Sequence, residues 1–362
     1  MFILPSKEDA DFIVGHSKQF FRKDDNFLDR QTAVYHYKQA KFEEFEKFKD
    51  KGSYELRGLT FIKNDKKWKR FLALHKFFEL NQAPGWMEED LKNKKIIKAA
   101  EKIDGSLLQP VLIDGKIYFK TKLSFESYQA KRANEIMLKN PAIKRYILDK
   151  FKENKIPIFE YISPKSQVVM DYGKEDLILI QVRDLKTGEY DLEFEKEAKR
   201  EGLLCAKEFE IKSLKEFIKL AETKKDIEGW ILIFEDMKFV KVKTDEYLRR
   251  HKLLGKIQPH EIIAAILEKR DYEYKEILNK KSEKYEYFRE IENKFWEKYN
   301  KLKKEAKKAI KLPKKVFKKK YAFHPYYELF AMCKNRGMEE FDGWIKKHTA
   351  RLKGAKKFLE LD

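Results

Sequence analysis

The alternation of apolar and polar positions changes character near residue 245. From about residue 54 to 243, short apolar runs are separated by turn residues. "QPVLIDGKIYFKTK" holds two such runs joined by Asp114-Gly115, a pair that tolerates the positive backbone angles of a tight hairpin turn. "IPIFEYIS" predicts a buried strand, "DLILIQVRDLKTGEYDLEF" a second hairpin turning at Lys186-Thr187-Gly188, and "IEGWILIFEDMKFVKVK" a third. "SYQAKRANEIMLKN" and "SLKEFIKLAETKK" predict helices between them. After Lys243 the strand pattern stops. Pro259 opens a helix in "PHEIIAAILEKR". Phe288, Ile291, Phe295, Tyr299, Leu302, Ala306 and Ile310 recur in steps of three and four, one face of a long helix that Pro313 ends. "YYELFAMCKNRG" and "MEEFDGWIKKHTARLKG" predict one helix each. The expected fold class is α+β, with an antiparallel-sheet domain over residues 1–245 and an all-α domain over 246–362.

The third hairpin makes a specific register claim. A two-residue turn at Glu235-Asp236 sets Glu228 opposite Lys243, so that the acid, Lys241 and Lys243 share one face. A slip of one residue points them apart. Lys120 and Lys122 share a face of the first hairpin by the same alternation.

Composition narrows the function classes. A formal charge of +20 over 362 residues calls for an anionic partner, nucleic acid foremost. Abundant Lys and Glu with scarce Gln also suit a thermostable surface. The two cysteines, Cys205 and Cys333, lack a C-x-x-C partner, which argues against zinc and a disulfide framework and for a reducing interior. The opening "MFILPSKEDADF" turns charged after Pro5 and reads as neither a signal peptide nor a membrane span; a cytoplasmic protein is expected, in the host cytoplasm if the chain is viral.

The candidate chemistry centres on Lys102-Ile103-Asp104-Gly105. Only a neutral amine is a nucleophile, and at an ordinary pKa roughly one lysine in a few thousand is neutral at pH 7. A reactive lysine needs burial or cationic neighbours. The structural alternatives are ordinary ones. Glu160 in "IFEYI" can be a solvent-facing strand residue, Arg57 can pair with Glu55, and Phe77 and Phe78 can be core. The seven histidines show no metal spacing.

Taken in order, these segments resemble the covalent nucleotidyltransferases, the polynucleotide ligases and mRNA capping enzymes. Lys102-Ile103-Asp104-Gly105 matches K-x-D-G. "IFEYI", "LILIQVRD", "IEGWILI" and "FVKVK" follow in the order of the later motifs. "YELRGLTF", "HKFFELNQ", "EKIDGSL", "FKTK" and "DIEGW" resemble segments of the bacteriophage-type RNA ligase 1 family, over roughly residues 20 to 250. Leu107 stands where DNA ligases and capping enzymes usually carry arginine, and helices follow where a DNA ligase carries a β-barrel.

The resemblance implies an ATP-dependent RNA ligase that joins 5′-phosphate and 3′-hydroxyl ends of single-stranded RNA, tRNA among them, through lysyl-AMP and RNA-adenylate. A ligase of single-stranded DNA ends and an inactive nucleic-acid-binding relative are the alternatives. It implies Lys102 as nucleophile, with Glu160 and Glu228 also catalytic. Tyr35, Arg57, Lys76, Phe78, Asp104, Gly105, Lys122, Lys241 and Lys243 would bind ATP, Lys241 and Lys243 also helping to make Lys102 reactive. Mg2+ would lie at Glu228 and Asp104, with Asp271, beside Glu273, as a second locus. A monomer with no membrane partner is expected, its basic segment Lys301–Lys320 contacting RNA phosphates.

Overall fold

The computed structural model describes residues 2–361. The chain forms two compact units, residues 1–163 with 172–248, and residues 164–171 with 249–362. The short excursion at 164–171, which leaves the first unit to join the second, has no signal in the sequence pattern.

Among the described residues the first unit holds twelve strands: β1 Phe20–Phe27, β2 Arg30–Tyr37, β3 Leu59–Asn64, β4 Lys67–Phe71, β5 Phe78–Glu79, β6 Ile96–Glu101, β7 Ser106–Ile113, β8 Lys116–Lys120, β9 Lys155–Ile162, β10 Asp176–Asp184, β11 Gly229–Phe234 and β12 Phe239–Lys243. They form three four-stranded sheets, in the orders β1-β2-β3-β4, β10-β9-β7-β8 and β5-β12-β11-β6. Neighbours are antiparallel except β5 and β12. The Asp114-Gly115 turn is present: Ile113 faces Lys116, and both turn residues have positive φ. The predicted helices run over Tyr128–Lys139 and Leu214–Thr223, each N-capped by a serine side chain, Ser127 and Ser213.

Two hairpin expectations are corrected. The second does not form a ladder beyond β10; its return arm makes an isolated bridge, Arg183 to Tyr190. The return segment "EYDLEF" has too few uninterrupted apolar positions before the helix Phe194–Arg200 begins. The third hairpin forms one residue out of the expected register. Gly229 faces Lys243 and Ile231 faces Lys241, because the loop has three residues, Glu235 to Met237, closed by a bond from the Phe234 amide to the Lys238 carbonyl.

Packing of the first unit is dominated by aromatic rings. Phe45, Phe61, Phe71 and Phe78 fill one cluster, Phe119, Tyr146 and Phe159 a second, Phe217 and Trp230 a third. One buried ion pair crosses this unit. Arg183 is fully buried, and its guanidinium donates to both carboxylate oxygens of Glu55 at 2.8 and 2.9 Å and to the carbonyls of Ala73 and Gly188. Glu55 is therefore committed to Arg183.

The second unit is helical, as expected. Its long helix spans Glu283–Ala309, and Phe288, Ile291, Phe295, Tyr299, Leu302 and Ala306 are its buried stripe. The expected single helix after Met338 is two, Glu340–Thr349 and Leu352–Leu359, with Arg351 extended between them. Residues 164–171 join this unit through Gln167, which donates to the Ile277 carbonyl and accepts from the Asn279 amide. Among the described residues no helix is long and apolar enough to cross a membrane.

Removing one partner of a buried pair strands the other charge, at a cost of about 3–5 kcal/mol. Glu55→Ala should therefore lower the urea-unfolding free energy by about that amount, and a loss below about 1 kcal/mol would show that Arg183 does not depend on the pair.

Candidate active site

The site is built where strand ends converge. Lys102 follows β6 directly and Glu228 precedes β11, and these strands are antiparallel neighbours with Glu101 facing Trp230. The Lys102 amide donates to the Gly229 carbonyl at 2.9 Å. The Lys102 ammonium donates to Glu228 Oε2 at 2.6 Å. Lys243, at the end of β12, lies 3.9 Å from Glu228 Oε1 and 2.6 Å from Glu79 Oε1.

The acid and the lysines thus meet although the hairpin register differs from the expected one. The reason is Gly229. Its φ of +151° departs from ordinary strand geometry just after Glu228, so Glu228 does not follow the strand's alternation. A Cβ there would meet the Val242 carbonyl at 2.0 Å. Gly105 is required for a different reason. The chain after Asp104 runs so close to β9 that a Cβ would lie 2.3 Å from the Tyr161 carbonyl and 3.0 Å from Glu160 Cγ.

Asp104 is buried. It accepts a hydrogen bond from Tyr247 Oη at 2.9 Å, and its amide donates to Tyr172 Oη at 2.8 Å. Tyr247 lies in the first turn of the helix Asp245–Leu254 directly after β12, where the Thr244 side chain accepts from its amide. Sequence reasoning missed Tyr247, Tyr172 and Glu79. The nearest available signals were the position of Thr244-Asp245-Glu246-Tyr247 right after "FVKVK" and the acid inside "HKFFELNQ".

Lys102, Glu160, Arg57 and Lys241 line a cleft whose apolar walls include Phe77 and Ile231. Lys76 and Lys122 complete the positive surroundings. Burial pushes Lys241 down to about 6, helped by Arg57, Lys76 and Lys102. Burial and then Arg57 bring Lys76 down to about 8, against Glu79. Lys122 is lowered by burial, Arg57 and Lys102. Burial raises Glu160 to about 7, against the pull of Lys102 and Arg57, with Glu228 and Asp104 adding to the rise. Glu228 is raised by burial, which Lys102 opposes.

Three of the expected residues lie elsewhere. Tyr35 is buried in the core of the first sheet and donates to Asp11 at 2.6 Å; it is Tyr37, two residues on, that neighbours Arg57. Tyr35 packs against Phe61 in that core, 5.7 Å between ring centres. Phe78 packs in the core against Trp86, with Lys76 4.0 Å above its ring, while Phe77 takes the cleft wall. Asp271 belongs to the helical unit and is paired with Lys275 at 2.6 Å, and its neighbour Glu273 lies 3.6 Å from Arg270. Among the described residues no three acidic, histidine or cysteine side chains gather as a metal cluster.

The RNA ligase family model matches residues 55–248, which include Lys102, Glu160, Glu228 and both β12 lysines. The chain belongs to the phage-type RNA ligase family. A protein of Thermovibrio ammonificans, provisionally named an RNA ligase, is 33% identical over 227 residues, covering 60% of this chain. The chain spans 58% of that relative's length. Among solved structures, an archaeal ATP-dependent RNA ligase superposes with a TM-score of 0.48 at 12% identity, over 73% of this chain and 65% of its own. A Naegleria gruberi RNA ligase mutant with ATP and Mn gives 0.37 at 14% identity, over 69% and 84%.

The burial of Lys241 among other cations in this RNA ligase family site has a stability cost with a definite sign. Lys241 is neutral in the folded protein above about pH 6 and charged in the unfolded chain up to about 10.5. Folding therefore opposes protonation of this group. The penalty is absent above the unfolded value, grows as pH falls and is complete below the folded one. Lys241→Met should raise the unfolding free energy on the order of 1–3 kcal/mol at pH 7, the gain being largest near pH 6 and fading as pH climbs toward 10. Unfolding curves across that range that coincide with wild type would show that the amine bears no such cost.

Proposed function

We propose that the chain is an ATP-dependent RNA ligase joining 5′-phosphate and 3′-hydroxyl ends of single-stranded RNA. The observation that carries this reading is the Lys102 amine at a cleft mouth, 2.6 Å from a buried carboxylate and surrounded by cations in excess of acids. A cleft so charged favours a polyphosphate, whose oxygens relieve the repulsion among Arg57, Lys76 and Lys243 and favour the charged form of Lys241. The apolar walls at Phe77 and Ile231 suit a nucleobase.

In the first step the Lys102 nitrogen attacks the α-phosphorus of ATP. A phosphorus–nitrogen bond forms, the bond to pyrophosphate breaks, and the enzyme holds lysyl-AMP. Glu228, whose affinity for a proton burial has raised, is the group placed to take the proton Lys102 must lose. In the second step the 5′-phosphate of RNA displaces the lysine and takes the AMP. In the third the 3′-hydroxyl displaces AMP and the phosphodiester forms. Arg57, Lys76, Lys122, Lys241 and Lys243 bind the phosphates. Asp104, held by Tyr247, would contact the ribose, and Glu160 acts beside it.

The donors also fit a divalent cation. Glu228 and Asp104 offer hard carboxylate oxygen, and Mg2+ commonly takes one or two carboxylates together with substrate phosphates. Bound there, it would neutralise phosphate charge. Asp271, tied to Lys275, has no part in this reading.

Incubation with α-labelled ATP and magnesium should give covalent label on wild type and none on Lys102→Ala. Absence of label on wild type would reduce the chain to a nucleic-acid-binding relative. Circularisation of 5′-phosphorylated RNA should exceed that of the matching DNA, and the reverse preference would reassign the substrate. Glu228→Ala should lower labelling by roughly 100-fold or more with unchanged circular dichroism. Full labelling would remove Glu228 from the chemistry.

A further inference from the structure

The helical unit carries a charge imbalance that the rest of the molecule does not. From Glu283 to Lys303 along the long helix, most cations have an acidic partner: Arg289 with Glu292, Lys294 with Glu290, Lys298 with Glu360, Lys303 with Asp342. From Lys304 to Lys320 there are nine lysines and one acid, Glu305, which sits beside His324 at 3.8 Å. Among the described residues no ion pair joins any of these nine lysines to a carboxylate within 4.0 Å.

The fold explains why they project outward. In the helix Lys314–Tyr321, Phe317 and Tyr321 are the buried pair, one turn apart, so Lys314, Lys315, Lys318 and Lys319 take the solvent side. Immediately past the helix end stands Phe323, 99% exposed. It is not on a loose tail. The His324 amide donates to the Tyr321 carbonyl at 2.9 Å, the Tyr327 amide to the His324 carbonyl at 2.9 Å, and the Tyr326 amide to His324 Nδ1 at 3.1 Å. The His324 ring packs 4.9 Å from Phe330. Phe323 is thus a fully bared aromatic on a pinned turn, next to a row of unmatched ammonium groups.

We infer that Lys314–Phe323 is a single-strand RNA-binding surface, on which Phe323 stacks an unpaired base while the lysines hold the adjoining phosphates. Charge complementarity selects a polyanion, and the bared ring selects one with accessible flat faces, which a continuous duplex does not offer. An anionic membrane suits the lysines equally. However, the apolar side of this helix is already used inside the unit, leaving Phe323 and Val316 as its exposed large apolar groups. This inference names a second contact for the RNA of the proposed ligase and tests separately from it.

The test uses the full chain and a fluorescent RNA oligonucleotide lacking a 5′-phosphate, so that no ligation occurs. Phe323→Ala should weaken binding of unpaired RNA by roughly 5- to 100-fold and leave duplex RNA binding unchanged. Lys318→Glu with Lys319→Glu should weaken both and reduce the slope of log affinity against log salt by about 1.4 for single strands, the share of two phosphates. Lys102-dependent labelling by ATP should persist in all variants, so loss of labelling in wild type sinks the ligase reading without touching this one. Wild-type affinity in both variants, or binding of anionic phosphatidylserine vesicles in preference to RNA, would overturn it. Phe323 is so exposed that its removal leaves the fold intact, which thermal unfolding verifies.

Discussion

Like charges held at close quarters in a poorly hydrated cleft are the constraint around which the first unit is arranged. Burial first, and then repulsion from Arg57, Lys76 and Lys102, brings Lys241 down to about 6, and burial with Arg57 brings Lys76 to about 8. Few acids offset them, and those are placed individually. Glu228 meets Lys102, and Glu79 meets Lys243. Burial works against Glu79 as an anion, yet its bond to Lys243 holds it below the ordinary range. Such an arrangement is unfavourable when empty and becomes favourable around an anion, which is how binding energy is stored in a site before its ligand arrives.

The scaffold keeps this arrangement from relaxing. Lys102, Glu228 and Lys243 lie at the ends of three neighbouring strands of one sheet, whose pairing fixes their backbones to one another. The Glu55–Arg183 pair fixes the segment just before Arg57, and the Arg57 amide itself donates to the Glu55 carbonyl at 2.7 Å. Two glycines allow backbones to approach where any side chain would collide.

Local chemistry made part of this legible in advance. Asp114-Gly115 announces its hairpin because that turn demands positive φ, and the helices with serine caps and regular apolar spacing were readable for similar reasons. The hairpin of β1 and β2 was not. Its turn uses Leu28 and Asp29 at positive φ, without glycine or asparagine, and "FFRKDDNF" has no buried alternation to betray a strand. The extra loop residue that moved the third hairpin by one is Met237, also at positive φ, a residue with no turn preference. At the site, the ordered motif residues Lys102, Glu160 and Glu228 could be picked out. Their supports could not, because Tyr247, Tyr172 and Glu79 matter only through contacts distant in sequence. Phe78 faces the core because its neighbour Phe77 takes the cleft wall, whereas Tyr35 is held in the core by its bond to Asp11.

The near-neutral Lys241 amine has a thermodynamic consequence of its own. An incoming phosphate would restore the charge that burial removed, so the complex would draw hydrogen ions from solution as it forms. The heat released in a calorimeter would then include the ionisation heat of whichever buffer gave them up. Two buffers at one pH would report different enthalpies for the same encounter, and the difference would count the ions transferred.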